Sequence, residues 1–587
     1  MDQPIPILPT NPGFPERSLR AAYAKAVLNE ALLTELNQNE KKNKYDTLPE
    51  KSVEDLKPTE GMLKVPTAKE DRVCIVGAGV AGLYISMILK KLRIRDFDIL
   101  EASDRVGGRC YTYQFPNDDG FPNPHNYYDI GAMRIPDIPT MKSTMKLIDI
   151  LHLQDKKVPY TYSFPDGVTK KYSGTKFDDA IKEVIAQLGD NYGYEDLMAL
   201  KADNFSTRSW LMIKKDLTYE ETVGGEAADT STGLFDQAFT ETICDYSDFQ
   251  AAKAKPWYRL EGGMSIVTDT MEQKLKSAEW PKPDSTIVTV TPKTPVVAMA
   301  VSKDSQKIEV TRTDSKTGKD VTDSYDMVFN TTAMAPLQRM DLQGLDLPKD
   351  ILTGIRALSY DRATKVAIKF KTRWWKGFYK NPADFGGVSG SDLPISNVVY
   401  PSWNDGDETS AVLMVSYSWA QDATRMGSLV PDYNLPENKP KKEDQIVKLC
   451  LQNLVKLWSA EANPPSLEFL DEQYVTHHAW AWSHDPYTGG AFALFGPGQF
   501  SHLYPPFQKL LCGRKLSICG EALSAHHAWI SGALDSAYVS VWQWLYERQD
   551  YGRLIELYMS EFGPGREDHV EELDETLDIW AVKLSEK

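Results

Sequence analysis

The chain has little cysteine, an excess of acid over base, and no long apolar run. Its six cysteines (Cys74, Cys110, Cys244, Cys450, Cys512 and Cys519) include no CxxC pair in 587 residues. That pattern indicates neither a disulfide framework nor a zinc site. No apolar stretch nears the ~18 residues that a membrane-spanning helix needs. With 66 basic against 83 acidic residues, the net charge is −17. Nucleic acid and anionic lipid are therefore poor main partners, while basic substrates are allowed. The first residues, MDQPIPILPTNPGF, lack the charged region and apolar core of a signal peptide. The cytoplasm is the expected compartment, unless the chain is written without its leader. What is present is the make-up of a globular protein, 42% hydrophobic and 25% charged, with a mean hydropathy of −0.41. The length allows two or three domains.

Residues 1–69 form an N-terminal extension. SLRAAYAKAVLNEALLTELNQ (18–38) has the pattern of a helix with Ser18 as N-cap, and 39–61 is polar and linker-like. The pattern changes at Val73. VCIV (73–76) is a buried-strand run, GAGVAG (77–82) a glycine turn, LYISMILKKL (83–92) an amphipathic helix and DFDILEA (96–102) a second strand. This is one βαβ unit. Gly77, Gly79 and Gly82 give GxGxxG in the context that a dinucleotide site requires. The first glycine permits the tight turn, the second lets backbone approach a pyrophosphate, and the third lets helix and strand pack closely. The helix N-terminus then holds negative charge. Glu101 ends the second strand, nineteen residues past Gly82. An acid there accepts hydrogen bonds from ribose hydroxyls and opposes a 2′-phosphate, favouring FAD or NAD over NADP. In ASDRVGGRCYT (102–112), Gly107 and Gly108 leave backbone open and Arg109 adds a charge, which suits a second grip on the pyrophosphate.

Other stretches raise questions that spacing alone leaves open. DIGAMRIP (129–136) sets Arg134 among small and apolar residues. It could be a surface charge, a structural ion pair, or an anchor for an anion entering a dry pocket. Lys365, in RATKVAIKF, has the apolar neighbours of a buried strand, where a lysine needs a partner. His477–His478 and His526–His527 are adjacent pairs without a carboxylate at ligand spacing, so they read as site lining or core histidines, and no metal is expected. NFS (204–206) and NTT (330–332) match the glycosylation pattern, the second at the end of a strand.

The run IVGAGVAGLY…ILEASDRVGGRCYT resembles the flavin-containing amine oxidase superfamily. GEALSAHHAWISGALDSA (520–537) resembles its C-terminal flavin segment, and RLEGGMSIV (259–267) a stretch between them. With DIGAMRIP, the likeness narrows to the L-amino-acid oxidases. The resemblance runs from about 70 to 548. It implies an α/β fold of mixed α and β elements. A Rossmann-like FAD-binding domain of the amine oxidase type would be discontinuous over 70–141, 256–335 and 510–548. A mainly helical domain would span 142–255, a mixed-sheet substrate domain 336–509, and a C-terminal helical tail 549–587.

The resemblance also implies roles. FAD would be held by Gly77, Gly79, Ala81, Gly82, Glu101, Ala102, Arg109, Met133, Arg134, Val296, Glu521, Trp529 and Ile530. Among these, Glu101 would take the adenosine ribose, Arg109 the diphosphate, Glu521 the ribityl or phosphate side, and the Val296 backbone the adenine. Lys365 would reach flavin N5 through a water. Arg134 and Tyr400 would bind the substrate carboxylate, Trp482 and Trp529 would wall the site, and the Ala528 carbonyl would receive the amine, a position where relatives often carry glycine. The FAD is expected to be non-covalent, because Ala491 stands in GGAF where some relatives place an attaching cysteine. The expected activity is oxidative deamination of L-amino acids by O₂ to 2-oxo acids, ammonia and H₂O₂, by an enzyme commonly dimeric. A monoamine or polyamine oxidase would need no carboxylate anchor. An amino-acid 2-monooxygenase could share the anchors and release an amide and CO₂. A non-catalytic flavoprotein and a nicotinamide dehydrogenase are further alternatives, the second opposed by the GEAL segment.

Overall fold

A computed structural model describes Tyr23, Val27, Leu28 and residues 71–160, 175–187, 200–229, 231–253, 255–282, 286–304, 306–379, 384–433, 435 and 438–563. The apolar run Val73–Val76 is a fully buried strand, as continuous apolar runs in parallel sheets are. It sits at the centre of a five-stranded parallel sheet. The order is Leu516–Ile518, Met327–Asn330, Val73–Val76, Phe97–Leu100, Val290–Thr291. Three distant stretches of sequence thus share one sheet. The glycine turn leads into helix Val80–Lys91, which packs against helices Ile530–Glu547 and Ser265–Lys276.

The glycines divide the work as their spacing predicts. Gly77 has φ +101, a backbone shape that favours glycine. A methyl at Gly82 would run into the carbonyl oxygen of Gly77, whereas a methyl at Gly79 would meet nothing within 4 Å. Gly82 therefore serves packing and Gly79 keeps space open at the helix N-terminus.

The second main sheet is antiparallel, in the order Val388–Gly390, Asn397–Val399, Ala411–Trp419, Ala363–Phe370, Tyr474–Ala481. All eight residues of Ala363–Phe370 are buried. Side chains alternate across a strand: Val366, Ile368 and Phe370 join the core around helix Gln445–Leu457, while Ala363 and Ala367 join the core of the parallel sheet. Lys365 shares the latter face. Helices Lys142–Ile150, Thr175–Gln187, Thr207–Lys214, Tyr219–Asp229 and Phe239–Ala252 make the helical region. A small sheet of Ile135–Pro136, Trp257–Leu260 and Lys157–Pro159 stands beside it, which periodicity does not reveal because two of its strands have two or three residues. Of the expected helix 18–38, Tyr23, Val27 and Leu28 are helical and buried, with the Tyr23 ring 5.2 Å from that of Phe500. The rest lies outside the described residues, as does the tail beyond 563. Among the described residues, no helix is long and apolar enough to cross a membrane.

Gly82→Ala should lower the unfolding free energy by about 1–3 kcal/mol through overpacking, while Gly79→Ala should leave it nearly unchanged. Urea denaturation of the two variants checks this contrast.

Candidate functional site

A cavity of about 990 Å³ runs from the glycine turn to the helical region. At one end, Gly77, Gly79, Ala81, Glu101, Ala102 and Val296 line it. Glu101 is buried, and its carboxylate accepts from the Ala78 N–H (2.8 Å), the Ser103 N–H (2.8 Å) and the Ser103 hydroxyl (2.8 Å). These bonds hold the acid beside the turn. The Glu101 carbonyl accepts from Thr294 N–H at 2.8 Å, which brings Val296 to the same wall. Gly82 is absent from the wall, consistent with its packing role. Arg105 is a wall residue that sequence reading passed over. Its Nη1 donates to the Gly108 carbonyl at 2.8 Å and its guanidinium lies 3.9 Å from the Tyr111 ring centroid. The paired glycines beside Arg109 already marked the segment.

Arg109 and Glu521 meet in the middle stretch. Arg109 Nη1 donates to Glu521 Oε2 at 2.7 Å and to the Ala491 carbonyl at 3.2 Å. The other Glu521 oxygen accepts from the N–H groups of Ala493 (2.9 Å) and Ala528 (2.7 Å). Burial acts to raise the Glu521 pKa, but Arg109, His527 and the Ala528 N–H together hold it below the usual carboxylate range. Glu521 thereby fixes Ala528, whose φ of +67 is left-handed. That backbone explains why glycine suits the position. Trp529 and Ile530, which begin helix Ile530–Glu547, follow on the wall.

Lys365 is buried, and its Nζ donates to the carbonyls of Asp129 (3.0 Å) and Gly131 (2.7 Å), with Met133 Sδ at 3.7 Å. Burial lowers its pKa to about 7, against the pull of Asp129 and with a further push from Arg134. The Asp129 carboxylate accepts from Thr112 Oγ1 (2.6 Å) and the Met264 N–H (2.8 Å), so the DIGAM turn is bound to the RLEGG turn. Trp482 is buried on the wall and donates from Nε1 to the Ile130 carbonyl at 3.1 Å.

Arg134 faces the far end. Its guanidinium carbon lies 5.4 Å from the Trp257 ring centroid, 5.8 Å from Phe249 and 6.0 Å from Tyr160. Phe249 and Trp257 also approach Trp529 at 6.3 and 6.4 Å. Arg134 in DIGAMRIP is thus a cavity residue in aromatic company, not a surface charge.

Tyr400 is a correction. Asn397 and Val399 line the cavity, so alternation turns Tyr400 to the other side. It is 1% exposed, packed against Trp375, Tyr379 and Trp458, and accepts from Ser389 Oγ at 3.1 Å. Of Tyr400 and Tyr417, Tyr417 stands on the wall. It lies directly across from Lys365 in the antiparallel register, and Lys365 Nζ is 4.6 Å from its ring centroid. The alternation in AVLMVSYSW carries that signal, once the strand is paired with RATKVAIKF.

The histidines separate. His527 lines the cavity and contacts Glu241 Oε1 at 2.8 Å from Nδ1. His526 faces Asp535 at 3.3 Å. His478 stacks on Tyr113 at 3.7 Å and bonds the Tyr128 hydroxyl at 2.8 Å, and His477 bonds the Tyr474 hydroxyl at 2.9 Å. Asn330 is fully buried, which removes NTT as a surface acceptor. Cys512 lies off the wall. Cys110 lies on it, with Sγ 3.0 Å from the Met264 carbonyl.

The group these residues fit is a dinucleotide carrying a flat ring. Open space at Gly79, a helix N-terminus and Arg105 suit a diphosphate, and a buried acid suits a ribose.

The lowered Lys365 pKa has a stability consequence. Between about pH 7 and 10 the unfolded lysine keeps a proton that the folded one has released, so its contribution to stability rises with pH across that window. Lys365→Met should flatten the rise by up to about 1.4 kcal/mol per pH unit, measured by denaturant titration of both chains from neutral to alkaline pH.

Comparison with known proteins agrees with this geometry. The profile of the family described as flavin containing amine oxidoreductase matches residues 80–542. A Dictyostelium discoideum protein carrying the name of a bifunctional amine oxidase is 34% identical over 527 residues, 81% of this chain and 46% of that protein. The chain thus spans about half the length of that relative. L-amino-acid oxidase 4 of Hebeloma cylindrosporum is 32% identical over 540 residues, covering 81% of this chain and 82% of the relative. An L-amino-acid oxidase of Siganus canaliculatus is 25% identical over 500 residues, covering 80% and 84%. With a family model matched over most of its length and a relative 32% identical, the chain belongs to the flavin-containing amine oxidoreductases.

Proposed function

We propose that the protein is an FAD-dependent L-amino-acid oxidase that binds its cofactor without a covalent bond. The observation that carries this reading is Arg134, set among Trp257, Phe249 and Tyr160 on the same cavity wall as Lys365 and Tyr417. A monoamine oxidase has no use for a guanidinium there, because its substrate has no carboxylate. A planar guanidinium pairs with a carboxylate through two parallel bonds, and the aromatic surroundings exclude competing water. Tyr417 takes the donor role first expected of Tyr400. Ala491 at the GGAF position and the placement of Cys512 off the wall support non-covalent binding. The parallel sheet, built from 73–100, 290–330 and 516–518, supports a discontinuous FAD-binding unit.

When bound, FAD supplies the chemistry, accepting a hydride equivalent from the substrate Cα and passing electrons to O₂. The chain supplies position and charge. Arg134 and Tyr417 hold the carboxylate, and the Ala528 carbonyl, turned by its left-handed backbone, accepts from the amine. These contacts fix the Cα–H in one direction. Trp482 and Trp529 exclude water. Lys365 holds or releases a proton near neutrality, so its charge is available to stabilise negative charge that develops beside it. The released imino acid is hydrolysed to a 2-oxo acid and ammonia.

Anaerobic mixing of the purified protein with L-leucine, L-lysine and benzylamine should bleach the flavin band with an L-amino acid and leave it intact with benzylamine. Bleaching by benzylamine alone would overturn the reading. Under air, the products should be 2-oxo acid, ammonia and H₂O₂; an amide with CO₂ would identify a monooxygenase. Arg134→Ala should raise KM for amino acids on the order of 10- to 100-fold with FAD retained. Tyr417→Phe should raise it about tenfold, the loss of one hydrogen bond to a charged group, and Tyr400→Phe should leave KM unchanged.

A further inference from the structure

The carboxylate end of the cavity holds a buried donor that the anchor described above does not use. Trp419 lies two residues past Tyr417 on strand Ala411–Trp419, so both side chains leave the same face of the sheet. Their rings meet edge-on, with centroids 4.8 Å apart and planes at 78°, and both line the cavity. The backbone fixes Trp419 firmly. Its N–H donates to Ser231 Oγ at 3.2 Å. The next residue, Ala420, has φ +50 and donates to Asp361 Oδ2 at 3.3 Å and to the Arg362 carbonyl at 3.1 Å. The indole Nε1 is shut away from solvent, and among the described residues nothing accepts from it at hydrogen-bonding geometry. A buried donor in this condition is unfavourable and calls for an explanation.

The neighbouring acceptor is the Tyr417 hydroxyl. Burial pushes the Tyr417 pKa up to about 12, while the Trp419 indole and Arg134 act to lower it. An indole N–H only donates, whereas a phenol hydroxyl both donates and accepts. A hydroxyl that accepts from Trp419 must aim its own proton elsewhere, and the open direction is the cavity.

We propose that Trp419 is a positioning residue for substrate binding: its indole N–H donates to the Tyr417 hydroxyl when a carboxylate occupies the site, so that Tyr417 presents its proton to that carboxylate. This role presupposes the carboxylate anchor put forward under the proposed function. A carboxylate that draws the Tyr417 proton makes its oxygen a better acceptor for this buried donor, and the strengthened bond adds to affinity for carboxylates and not for amines.

The test uses two fragments of leucine and the oxidised holoenzyme. Calorimetry would give the Kd of 4-methylpentanoate, which lacks the amine, and of 3-methylbutylamine, which lacks the carboxylate. Trp419→Phe, which keeps a ring and removes the donor, should weaken 4-methylpentanoate about fivefold and leave 3-methylbutylamine unchanged. In a Tyr417→Phe background the same substitution should have no further effect. Equal losses in both backgrounds, or an equal loss for the amine, would show that Trp419 acts by packing and overturn the proposal while the anchor stands. No loss of 4-methylpentanoate affinity in Tyr417→Phe would overturn the anchor and the proposal together. A second readout does not depend on how Trp419→Phe folds. In ¹⁵N-tryptophan-labelled protein, the Trp419 indole resonance should move downfield on adding 4-methylpentanoate, and not in Tyr417→Phe; a resonance that stays put in the unsubstituted chain overturns the proposal.

Discussion

One buried ammonium holds the site in register. Lys365 reaches from the antiparallel sheet to the carbonyls of Asp129 and Gly131, so two sheets are joined through a single turn of backbone. The same Asp129 grips Thr112 and Met264 with its carboxylate. The turn is fastened on both sides, and Arg134, three residues past Gly131, leaves it in a fixed direction. A buried lysine must find acceptors. Here they are main-chain carbonyls, which satisfy its hydrogens without neutralising its charge. An ion-pair partner would have locked the charge on. Burial, with Arg134 nearby, brings it near neutrality against the pull of Asp129, which is the condition of a group whose charge can change in service.

The cavity is graded along its length. The end beside the glycine turn carries a helix N-terminus and Arg105, and the far end carries Arg134. Both suit negative charge. Met133, Trp482, Trp529 and Ala363 on the same wall suit a flat and largely apolar ring. These charges are the ones the proposed function calls for, a phosphate-bearing ring at one end and a small carboxylate at the other. The Arg109–Glu521 pair spends one arginine on the protein itself and in return fixes the Ala528 corner, so its contribution to a ligand is partly one of shape.

Local motifs made much of this legible. The glycine turn, Glu101, Lys365 and Arg134 each sit in a stretch whose own residues announce a strand end, a tight turn or a dry setting, and the structure brings all four to one cavity. Tyr400 shows the limit. Tyr400 follows strand Asn397–Val399 while Tyr417 lies on Ala411–Trp419, and which tyrosine faces Lys365 is set by pairing with a strand far away in sequence. Until RATKVAIKF is laid against AVLMVSYSW, nothing local tells which tyrosine faces Lys365. Gly82 shows the converse: its role was clear, but as packing and not as wall. Phe249 and Trp257, which surround Arg134, come from the helical region and a short strand, and no motif joins them to DIGAMRIP in the chain. The left-handed backbone at Ala528 was likewise hidden, because alanine does not advertise it.

The strand order has a consequence for how the molecule is made. The central strand Val73–Val76 is flanked by Phe97–Leu100, available early in synthesis, and by Met327–Asn330, which emerges much later. The edge strand Leu516–Ile518 comes later still, and with it Glu521, Ala528 and Trp529. The glycine turn is therefore complete in sequence hundreds of residues before the wall that closes over it. Such long-range parallel pairing is slow to form. A nascent chain carries an open half-site while hundreds of residues are added, and the cavity wall is completed only once residues 516–529 have emerged.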